Sequence, residues 1–404
     1  MAKGQSPFWW EEDGLRCPAK GWRFSGLAIR DVVKGEETPA YLYDFARVQA
    51  NVTRLRTALE RLDQPTRLFY AMKSNRFRPL LEAMARAGNH GIDACSIREA
   101  ERAVACGFLP GQITFTAHGV ARREWEQLLR WPDLWVNADS LSDLEKIGTL
   151  APGRTIGLRL NPAVGVGYRE NPRLLYATGT EVTKFGLRRE EIHEALRLAQ
   201  RFGLRVEGLH VHSGCGYLTP QLPAFEQVLT FVAEVLTNLP QIKHVNLGGG
   251  LGIPLRDDDA PLDLDAWAMC VRTALADFGG EIWIEPGDYL VKDAGVLVVE
   301  VTQVLPRGSS RLVTVNAGFN VHHEPVFYDL PLHVVPVEAR PGPWETATVA
   351  GNLNEVQDLW AKDLSLPPLE EGDLLAMFNA GGYGASMASD HCLRGHFTER
   401  LLGC

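Results

Sequence analysis

The chain alternates short apolar runs with longer amphipathic segments over its central part. Each apolar run has four to seven residues and is rich in β-branched and aromatic side chains, a composition that favours β-strands. The predicted strands are Arg67–Met72, Gly91–Ala94, Gln112–Ala117, Asp133–Ala138, Thr155–Asn161, Val206–His212, His244–Leu247 and Glu281–Glu285. The pattern therefore predicts eight strands separated by connecting segments.

The connecting segments have the spacing of helices. Apolar residues recur at i, i+3, i+4 and i+7 in Ala224–Thr237, and Pro79–Ala87 and Arg188–Arg201 have a similar pattern. Strands that alternate with helices form parallel βα units. Eight such units close a barrel, and a span of about 220 residues is near its usual size. We therefore predict an α/β fold with a (β/α)8 TIM barrel, with an open doubly wound sheet as the alternative.

The pattern changes after Glu285, where long helical segments become scarce. Further apolar runs predict antiparallel strands at Ala294–Leu305, Ser310–Val315, Leu332–Val337 and Thr346–Gly351. The stretch Leu27–Asp44 near the N-terminus is also strand-like. We therefore predict two domains. A barrel covers residues 44–286, and a mainly antiparallel β-sheet domain is formed by both chain ends, residues 1–43 and 287–404.

Composition narrows the class of protein. The 404 residues are 45% hydrophobic and 23% charged, which is typical of a globular protein, and the net charge of −9 counts against nucleic-acid binding. No apolar run approaches the roughly 18 residues of a membrane span, and the N-terminus does not resemble a secretory signal. The seven cysteines are scattered without a CxxC pair. We expect a cytoplasmic protein without a metal site and without a membrane or nucleic-acid partner.

Polar or glycine residues follow or end most of the predicted barrel strands. The chemistry of a TIM barrel collects at the carboxyl ends of its strands, so these residues are expected to share one site. They are Lys73, Asp93, His118, Arg159, His212, Gly248, Gly249, Gly250, Glu285, Pro286 and Gly287. One polar residue at a strand end means little, but agreement across seven strands indicates a functional centre.

Each of these residues has an ordinary and a functional interpretation. Gly248–Gly250 is either a tight turn or a set of bare N–H groups that hold a phosphate. Lys73 is either solvated or desolvated, and desolvation lowers an amine pKa and favours Schiff-base chemistry. His212 is either a core histidine or a ligand contact, and Glu285 either caps a turn or pairs with a protonated ring nitrogen. Together they predict a pyridoxal phosphate site.

The order of these motifs resembles the diaminopimelate/ornithine decarboxylase family, barrel-fold pyridoxal phosphate enzymes related to alanine racemase. The resemblance runs from about Thr38 to Ser389. Its landmarks are YAMKSN at Tyr70–Asn75, GIDACSIRE at Gly91–Glu99, LRLNP at Leu158–Pro162, TKFGL at Thr183–Leu187, HVHSGCG at His210–Gly216, NLGGGLG at Asn246–Gly252, EPGDYLV at Glu285–Val291 and GGYGASMAS at Gly381–Ser389. The joint match in this order is far more specific than any single motif.

The resemblance implies a role for individual residues. Lys73 would form the imine with the cofactor aldehyde, His212 would stack on the cofactor ring, and Glu285 would meet the pyridine nitrogen. The other residues assigned to the cofactor site are Asp93, Arg159, Ser213, Gly248, Gly249, Gly250, Gly287 and Tyr383. The family also forms head-to-tail homodimers in which residues such as Asn354–Asp358 complete the partner's active site.

Two departures from the family concern the substrate. Asp288 stands in EPGD where the family has EPGR, and Glu324 stands before Pro-x-x-Tyr328 where the diaminopimelate branch has arginine. If both carboxylates face the substrate, they would attract a distal ammonium or guanidinium and repel a distal carboxylate. The alternative is that both are solvated or paired with a lysine or arginine. We name Asp288, Glu324, Tyr328, Asn354, Glu355 and Asp358 as candidate substrate contacts.

Two further departures concern proton transfer and the phosphate. The family's Cys-Glu-x-x-Asp motif reads Asn354-Glu355-Val356-Gln357-Asp358 here, and asparagine cannot supply the acidic proton of the cysteine. Water, Lys73 or a histidine (His322, His323 or His333) would then donate the proton, or slow reprotonation would favour decarboxylative transamination or oxidation. Cys215 stands where a serine is expected near the phosphate, so Ser213 or the backbone would compensate for the weaker thiol donor.

These observations predict a pyridoxal phosphate-dependent decarboxylase that removes the α-carboxylate of an amino acid with a cationic distal group, with a role in specialised metabolism. One alternative is a diaminopimelate decarboxylase, or a decarboxylase of a conjugated amino acid such as a siderophore or antibiotic precursor. Another is a partner-binding regulatory homologue that has lost turnover, and a racemase is also conceivable. The stretch Gly165–Lys184 has the character of a mobile loop near the substrate.

Overall fold

A computed structural model describes residues 21–34, 37–88, 90–177 and 183–404. Part of the loop predicted at Gly165–Lys184, residues 178–182, lies outside this range. The strands in chain order are β1 Arg23–Phe24, β2 Leu27–Ala28, β3 Ala40–Asp44, β4 Thr66–Ala71, β5 Gly91–Ala94, β6 Ile113–Thr116, β7 Trp135–Ala138, β8 Thr155–Leu160, β9 Arg205–Val211, β10 His244–Asn246, β11 Glu281–Ile284, β12 Gly295–Arg307, β13 Ser310–Val315, β14 Val334–Pro336, β15 Glu345–Ala350, β16 Leu359–Leu366, β17 Leu374–Met377 and β18 Thr398–Leu402.

The helices fall mainly between the barrel strands. They are α1 Ile29–Val32, α2 Phe45–Leu59, α3 Arg78–Ala87, α4 Ile97–Ala105, α5 Arg122–Leu128, α6 Leu141–Leu150, α7 Ile192–Arg201, α8 Leu222–Thr237, α9 Leu264–Ala274, α10 Asp288–Val291 and α11 Glu324–Phe327. The predicted helices over 79–87, 188–201 and 224–237 correspond to α3, α7 and α8, although α7 begins later because a 3-10 turn occupies Arg189–Glu191.

Strands β4 to β11 form a closed, all-parallel barrel. Each strand pairs with the next along the chain, and β11 pairs with β4 through Ile284 and Leu68. The predicted barrel is confirmed, and the open doubly wound sheet is wrong because this last pairing closes the sheet. The observed strand ends lie within two residues of the predicted ones, since the apolar runs coincide with the buried part of each strand.

Local signals in the sequence fix where the barrel helices begin and end. The Oγ atom of Ser96 accepts the Glu99 N–H at 3.2 Å at the start of α4, and Ser140 caps α6 in the same way through the Asp143 N–H. Such caps typically contribute about 1 kcal/mol each. Helix α3 ends at Gly88, whose φ of +71° is the left-handed conformation that favours glycine.

The chain divides into two compact units by its internal packing. One unit comprises residues 53–253 and 260–289, and the other comprises the described residues up to 52 together with 254–259 and 290–404. We call them the barrel unit and the β unit. This division differs from the predicted bounds of 44–286 at residues 44–52, 254–259 and 287–289, and helix α2 begins in one unit and ends in the other.

The β unit is built on one long strand, β12. Its first half pairs with β3 and β17, and its second half pairs with β13, all antiparallel. The sheet continues in the order β14-β17-β12-β13-β15-β16. Two of the pairings, β13 with β15 and β3 with β18, are parallel, so the sheet is mixed rather than wholly antiparallel. The strand-like stretch Leu27–Asp44 is interrupted by helix α1, which the apolar pattern did not predict.

A cluster of buried apolar side chains holds the two chain ends of the β unit together. It includes Leu42 of β3, which pairs with Val296 of β12, and Trp22, whose ring meets Phe378 edge-on at 5.1 Å. Burying one large apolar side chain contributes roughly 1.5–3 kcal/mol. The contacts explain how sequence-distant segments form one unit. In the residues that the structure describes, no helix is long and apolar enough to cross a membrane.

Candidate active site at the carboxyl end of the barrel

The barrel brings the predicted catalytic residues to one end. Lys73 lies in the 3-10 turn after β4, Asp93 is the penultimate residue of β5, and Glu285 follows directly after β11. The Lys73 Nζ atom is 4.0 Å from Asp93 Oδ2. These residues come from strands far apart in sequence, and their proximity follows from the closed parallel sheet.

Lys73 and Asp93 perturb each other's protonation. Burial raises the pKa of Asp93 well above its usual value, and the Glu285 charge raises it further. Burial lowers the pKa of Lys73, as the sequence predicts, but nearby acidic groups, Asp93 first, reverse the net direction and raise it. Asp93 raises the pKa of Lys73 only while it is ionised. The rise at Asp93 is the stronger effect, because its side chain is 5% exposed and that of Lys73 is 38% exposed.

Glu285 is held by three donors. His210 Nε2 lies 2.9 Å from Oε2, while the Thr114 hydroxyl and the Asn246 amide reach Oε1 at 3.2 and 2.5 Å. Burial pushes the pKa of Glu285 upward, but the hydrogen bonds from His210 and Asn246 and the charge of Lys73 outweigh it, and the net pKa is lowered. The pKa of Glu285 is thus lowered while that of neighbouring Asp93 is raised, and such a divergence of two neighbouring carboxyl groups is typical of an active site.

His212 is half-buried just after β9. Its Nδ1 atom accepts the Gly249 N–H at 3.2 Å, and its ring lies 5.2 Å from that of Tyr176. Burial, followed by the charges of Lys73 and Arg159, lowers the pKa of His212 well below its usual value. The ring is therefore neutral at physiological pH, which suits it to pack against an aromatic ligand.

The three glycines after β10 run close to other backbone atoms. A Cβ atom on Gly249 would lie 2.3 Å from the Glu285 carbonyl oxygen, and one on Gly250, which has a φ of +91°, would lie 2.5 Å from that of Gly214. The N–H of Gly248 donates to Asn246 Oδ1 and that of Gly249 donates to His212. A phosphate at this turn would therefore use Gly250 and the residues after it rather than all three glycines.

Arg159 is fixed by a buried aspartate that the sequence reasoning missed. Asp139 Oδ1 accepts from Arg159 at 2.9 Å and from the Gly186 N–H at 3.2 Å, while Oδ2 lies 2.7 Å from His118 Nδ1. The Arg159 guanidinium also lies 4.4 Å from the centre of the Phe185 ring. Asp139 thus joins the ends of three neighbouring strands to the segment at 185–186.

The EPGD motif places Asp288 inside the barrel unit. Its buried carboxylate has Oδ2 3.9 Å from Cys215 Sγ, and the preceding Gly287 packs against Ser74, where an added Cβ would lie 3.1 Å from the Ser74 Cβ. Ser213, two residues before Cys215, has a buried hydroxyl with no hydrogen-bond partner among the described residues. Such a hydroxyl is available to a bound ligand.

Glu324, which replaces an arginine of the diaminopimelate branch, forms an ion pair inside the β unit. Its two carboxylate oxygens lie 2.5 and 2.6 Å from Lys292 Nζ, and both side chains are buried. The expectation that Glu324 presents a free negative charge to the substrate is therefore wrong, and the alternative of a paired carboxylate applies to it. Half-buried Tyr328 follows on the C-terminal side of α11.

Tyr383 occupies a constrained turn of the same unit. It is half-buried and has a φ of +53°, a conformation that residues other than glycine rarely adopt. The Gly381 N–H donates to the Lys292 carbonyl at 3.0 Å, and a Cβ atom on Gly381 would lie 1.8 Å from the Val291 carbonyl oxygen. Strain of this kind is often kept at functional sites.

The segment that replaces the family's cysteine motif is only partly exposed. Asn354 is exposed, and Glu355 pairs with His391 at 3.0 Å. Asp358 is buried, and its carboxylate accepts from the Phe319 N–H, the Leu353 N–H and the Trp360 indole N–H at 2.7, 2.8 and 2.9 Å. Asp358 therefore shapes the turn of its own segment, a role that the sequence reasoning did not anticipate.

The candidate histidine donors are poorly suited to release a proton. Burial, with Lys292 adding to it, lowers the pKa of His322 to about 3. Burial also lowers the pKa of His323 and of His333, and His333 Nε2 lies 2.5 Å from the Leu255 carbonyl oxygen. All three are neutral at physiological pH, and a neutral imidazole is a weak acid.

Sequence reasoning missed His210, Thr114, Asn246 and Asp139. The sequence contains one indication for His210. It lies two residues before His212, and side chains at that spacing in an extended segment point to the same side. Thr114 and Asn246 occupy strands that were predicted, but nothing local marks their shared partner, Glu285. Long-range pairing of this kind follows only from the barrel register.

The barrel unit fits pyridoxal phosphate. It offers a half-exposed lysine, an ionised buried carboxylate at Glu285, and a glycine turn that a Cβ would fill. In the part of the chain that the structure covers, the Ser213 hydroxyl and Asp93 Oδ1 are buried polar atoms without a partner. Over the same residues, no group of three or more His, Cys, Asp and Glu side chains could hold a metal ion.

A protein-family model for the pyridoxal binding domain of pyridoxal-dependent decarboxylases matches residues 46–292. The chain belongs to this family. The match confirms the resemblance inferred from the motifs. The protein is a pyridoxal 5′-phosphate-dependent carboxy-lyase that acts on an amino acid, as the sequence predicted.

Several relatives within the pyridoxal-dependent decarboxylases share almost the whole chain. The diaminopimelate decarboxylase of Methanothermobacter thermautotrophicus is 34% identical over 90% of this chain and 86% of its own length. That of Streptomyces coelicolor is 33% identical over 90% of this chain and 84% of its own length. The Helicobacter pylori diaminopimelate decarboxylase, solved in complex with L-lysine, is 28% identical with a TM-score of 0.83, covering 92% of this chain and 93% of its own.

The decarboxylase fold extends to enzymes with other substrates. The arginine decarboxylase of Paramecium bursaria Chlorella virus has a TM-score of 0.78 at 19% identity, over 90% of this chain and 96% of its own. At that identity the likeness concerns the fold alone. The fold therefore does not choose between an acidic and a basic substrate, and the choice rests on individual side chains.

Proposed function

We propose that this decarboxylase removes one α-carboxylate of diaminopimelate and releases lysine. The observation that carries the proposal is the buried pair of Lys292 and Glu324, which cancels a negative charge that would otherwise repel a distal carboxylate. The likeness to two diaminopimelate decarboxylases over 90% of the chain supports the same substrate. The alternative named from the sequence thus becomes the leading hypothesis.

The residues at the barrel mouth have separate tasks in this proposal. When bound, pyridoxal phosphate supplies an electron sink for the bond that breaks. Lys73 Nζ would hold the cofactor, and the ionised Glu285 carboxylate would accept a hydrogen bond from the protonated ring nitrogen and so keep that nitrogen protonated. The neutral His212 ring packs on the cofactor. Asp93, Arg159, Ser213, Gly250 and Gly287 of the barrel unit are the other proposed contacts.

Lys73 is the proposed proton donor at the carbon that loses its carboxylate. Asparagine at 354 has no acidic proton, and His322, His323 and His333 are neutral because burial lowers the pKa of each. Burial lowers the pKa of Lys73, but acidic neighbours outweigh it and raise the net pKa, and Glu285 among them stays ionised, so the Lys73 amine is protonated at physiological pH. The proton moves from Nζ to the Cα atom as the amine product forms.

A second candidate is a decarboxylase of a basic amino acid. The observation that favours it is Asp288, which is buried beside Cys215 and places a carboxylate where the family has an arginine. A carboxylate at that position attracts a distal ammonium or guanidinium. This candidate keeps the substrate class first predicted from the sequence.

The two candidates differ in which substrates release carbon dioxide. The holoenzyme is supplied in turn with meso-diaminopimelate, L-lysine, L-ornithine and L-arginine, with Lys73→Ala as the inactive control. We expect carbon dioxide from diaminopimelate alone, with an equal amount of lysine detected by mass spectrometry. Release from a basic amino acid and none from diaminopimelate would favour the second candidate and overturn the first.

We also propose that the enzyme works as a homodimer with shared active sites. Val356 and Leu393 are 82% and 87% exposed, an unusual degree for apolar side chains, and the ion pair of Glu355 with His391 links their two segments. A partner subunit would cover them. A mixture of Lys73→Ala and Glu355→Arg, each inactive alone, is expected to regain activity after the subunits exchange. No recovery, together with a monomer by light scattering, would contradict the proposal.

The proposed location is the cytoplasm. The described cysteines, including Cys95, Cys106, Cys215 and Cys270, are free thiols. Free thiols are typical of a reducing compartment. Fractionation of cells that express the full chain, followed by immunoblotting, is expected to recover it with cytoplasmic enzymes, and recovery outside the cytoplasm would contradict this location.

A further inference from the structure

His210 and Glu285 form a deeply buried polar contact at the barrel mouth. His210 Nε2 lies 2.9 Å from Glu285 Oε2, and the two side chains are 2% and 5% exposed. His210 belongs to β9 and Glu285 follows β11, so the contact spans the intervening strand β10. It thus connects strand β9 with the end of strand β11, a contact that the sequence motifs do not predict.

The second nitrogen of His210 fixes the state of the ring. Its Nδ1 atom is buried and has no hydrogen-bond partner in the described part of the chain. A proton on Nδ1 would be a buried donor without an acceptor, which is unfavourable because the group loses its hydrogen bond to water and gains none in the protein. A charged ring carries protons on both nitrogens and meets the same cost. The proton therefore lies on Nε2 alone, and the neutral ring donates to Glu285.

The other oxygen of Glu285 is oriented by a connected network. Asn246 Nδ2 and the Thr114 hydroxyl both reach Oε1, and the Gly248 N–H donates to Asn246 Oδ1 at 2.9 Å. This last bond fixes the Asn246 amide with its nitrogen toward Glu285. An ionised carboxylate has about four acceptor positions, so three donors leave one position for a ligand.

We propose that His210 is a positioning residue whose Nε2–H keeps the Glu285 carboxylate ionised and oriented as the acceptor for the cofactor's ring nitrogen. The inference rests on the proposed role of Glu285. It gives a role to His210, to which the sequence motifs assigned none, and it specifies the protonation state of the His210 ring. The charged or titratable groups that act on this pair are Lys73, Asp93, His212 and His244.

The protonation state is tested without the cofactor's chemistry. In the full wild-type chain, the ¹⁵N NMR shifts of the His210 ring distinguish Nε2–H, Nδ1–H and the charged form, with His210→Gln identifying the signal. We expect the neutral Nε2–H form of the ring. A ring protonated at Nδ1, alone or together with Nε2, would overturn the inference.

The positioning role is tested by cofactor affinity. His210→Leu removes the donor, while His210→Gln retains an amide N–H at the reach of Nε2. We expect His210→Leu to raise the pyridoxal phosphate dissociation constant at least ~10-fold, the loss of a hydrogen bond to a charged group, and His210→Gln to recover most of it. His244→Leu is the matched control, since His244 is equally buried on β10 but stacks on Trp283 at 3.6 Å.

The outcomes separate the inference from the proposed function. His244→Leu is expected to lower the melting temperature and to leave cofactor affinity within about 2-fold, a change well under 1 kcal/mol. Equal affinity in His210→Leu and wild type would overturn the positioning role. If Glu285→Ala also binds the cofactor as wild type does, the proposed role of Glu285 fails first.

Discussion

The Lys292 ammonium lies 2.5 and 2.6 Å from the two carboxylate oxygens of Glu324, and both side chains are 5% exposed. The charge of a carboxylate that the sequence predicts as a substrate contact is therefore neutralised within its own unit. Breaking a buried ion pair on one side leaves an uncompensated charge, which costs about 3–5 kcal/mol. We expect Lys292→Met to lose stability on this scale in urea unfolding.

The double variant of this pair is the control for Lys292→Met. Lys292→Met with Glu324→Leu removes both charges, and replacing a buried pair by apolar residues is often close to neutral. We expect it to regain most of the stability. A double variant as unstable as the sum of the two single variants would mean that the two charges do not interact.

The glycine turn after β10 is expected to tolerate no side chain. A Cβ atom at Gly249 would lie 2.3 Å from the Glu285 carbonyl oxygen, so Gly249→Ala must move backbone next to His212. Overpacking of this kind costs about 1–3 kcal/mol. We expect Gly249→Ala to weaken pyridoxal phosphate binding in a fluorescence titration. Gly279→Ala is the control, because a Cβ there meets nothing within 4 Å, and equal affinities for both variants would contradict this account of the turn.

Asp139 is expected to support cofactor binding by holding the Arg159 guanidinium in place. Asp139→Asn keeps the shape of the side chain but removes the charge that holds a buried guanidinium, and hydrogen bonds to charged groups are worth about 1.5–3 kcal/mol. We expect weaker cofactor binding together with reduced stability, measured by titration and by urea unfolding.

Asp143 on helix α6 is the matched control for Asp139. It is as deeply buried, and it binds the Trp125 indole at 3.2 Å and the Ser140 hydroxyl at 2.9 Å on the outer side of the barrel. Asp143→Asn should lower stability and leave cofactor affinity unchanged. The positioning role of Asp139 is rejected if both variants weaken cofactor binding equally.

The raised pKa of Asp93 predicts how stability depends on pH. Burial, with Glu285 adding to it, raises the pKa in the folded state above the unfolded value of about 3.9. The contribution of Asp93 to stability is then complete below pH ~3.9 and is lost as the pH rises through the folded pKa. Asp93→Asn removes this loss. We expect it to be more stable than wild type at neutral pH, by about 1.4 kcal/mol for each unit of pKa shift, with no difference in acid.

Urea unfolding over a series of pH values checks the Asp93 prediction. Asp265→Asn controls for the removal of a carboxylate, because Asp265 is exposed and pairs only at the surface with Arg61. If Asp93 is instead an ionised partner of Lys73, Asp93→Asn will be less stable than wild type at neutral pH. That sign would contradict the raised pKa of Asp93.

The barrel could be predicted from the sequence because its signals are local. Each apolar run such as Thr155–Leu160 is buried almost throughout, so its length and composition reveal a strand. Strand β16 was missed because only Trp360 and Leu366 of its eight residues are buried. Strand β18 was missed as well, since all five of its residues are only half-buried.

The site could be predicted only where its residues fall in motifs. Lys73, His212 and Glu285 are marked by their neighbours in sequence, whereas Lys292 and Glu324 are 32 positions apart and nothing local joins them. The same holds for Asp139 and Arg159, 20 positions apart on neighbouring strands. The sequence shows which side chains are charged, but it does not show which residues pair with them. Their effect on a substrate therefore depends on the fold.

The central claim is that Lys73 carries the cofactor at the mouth of this barrel. Sodium borohydride fixes pyridoxal phosphate on the lysine amine to which it is bound, and peptide mass mapping then identifies that lysine. We predict that the modified peptide contains Lys73. We also predict that Lys73→Ala loses both the label and the absorption band of the lysine-bound cofactor at ~420 nm. Labelling of Lys146, Lys184 or Lys243 instead, or an unchanged label in Lys73→Ala, would contradict the account.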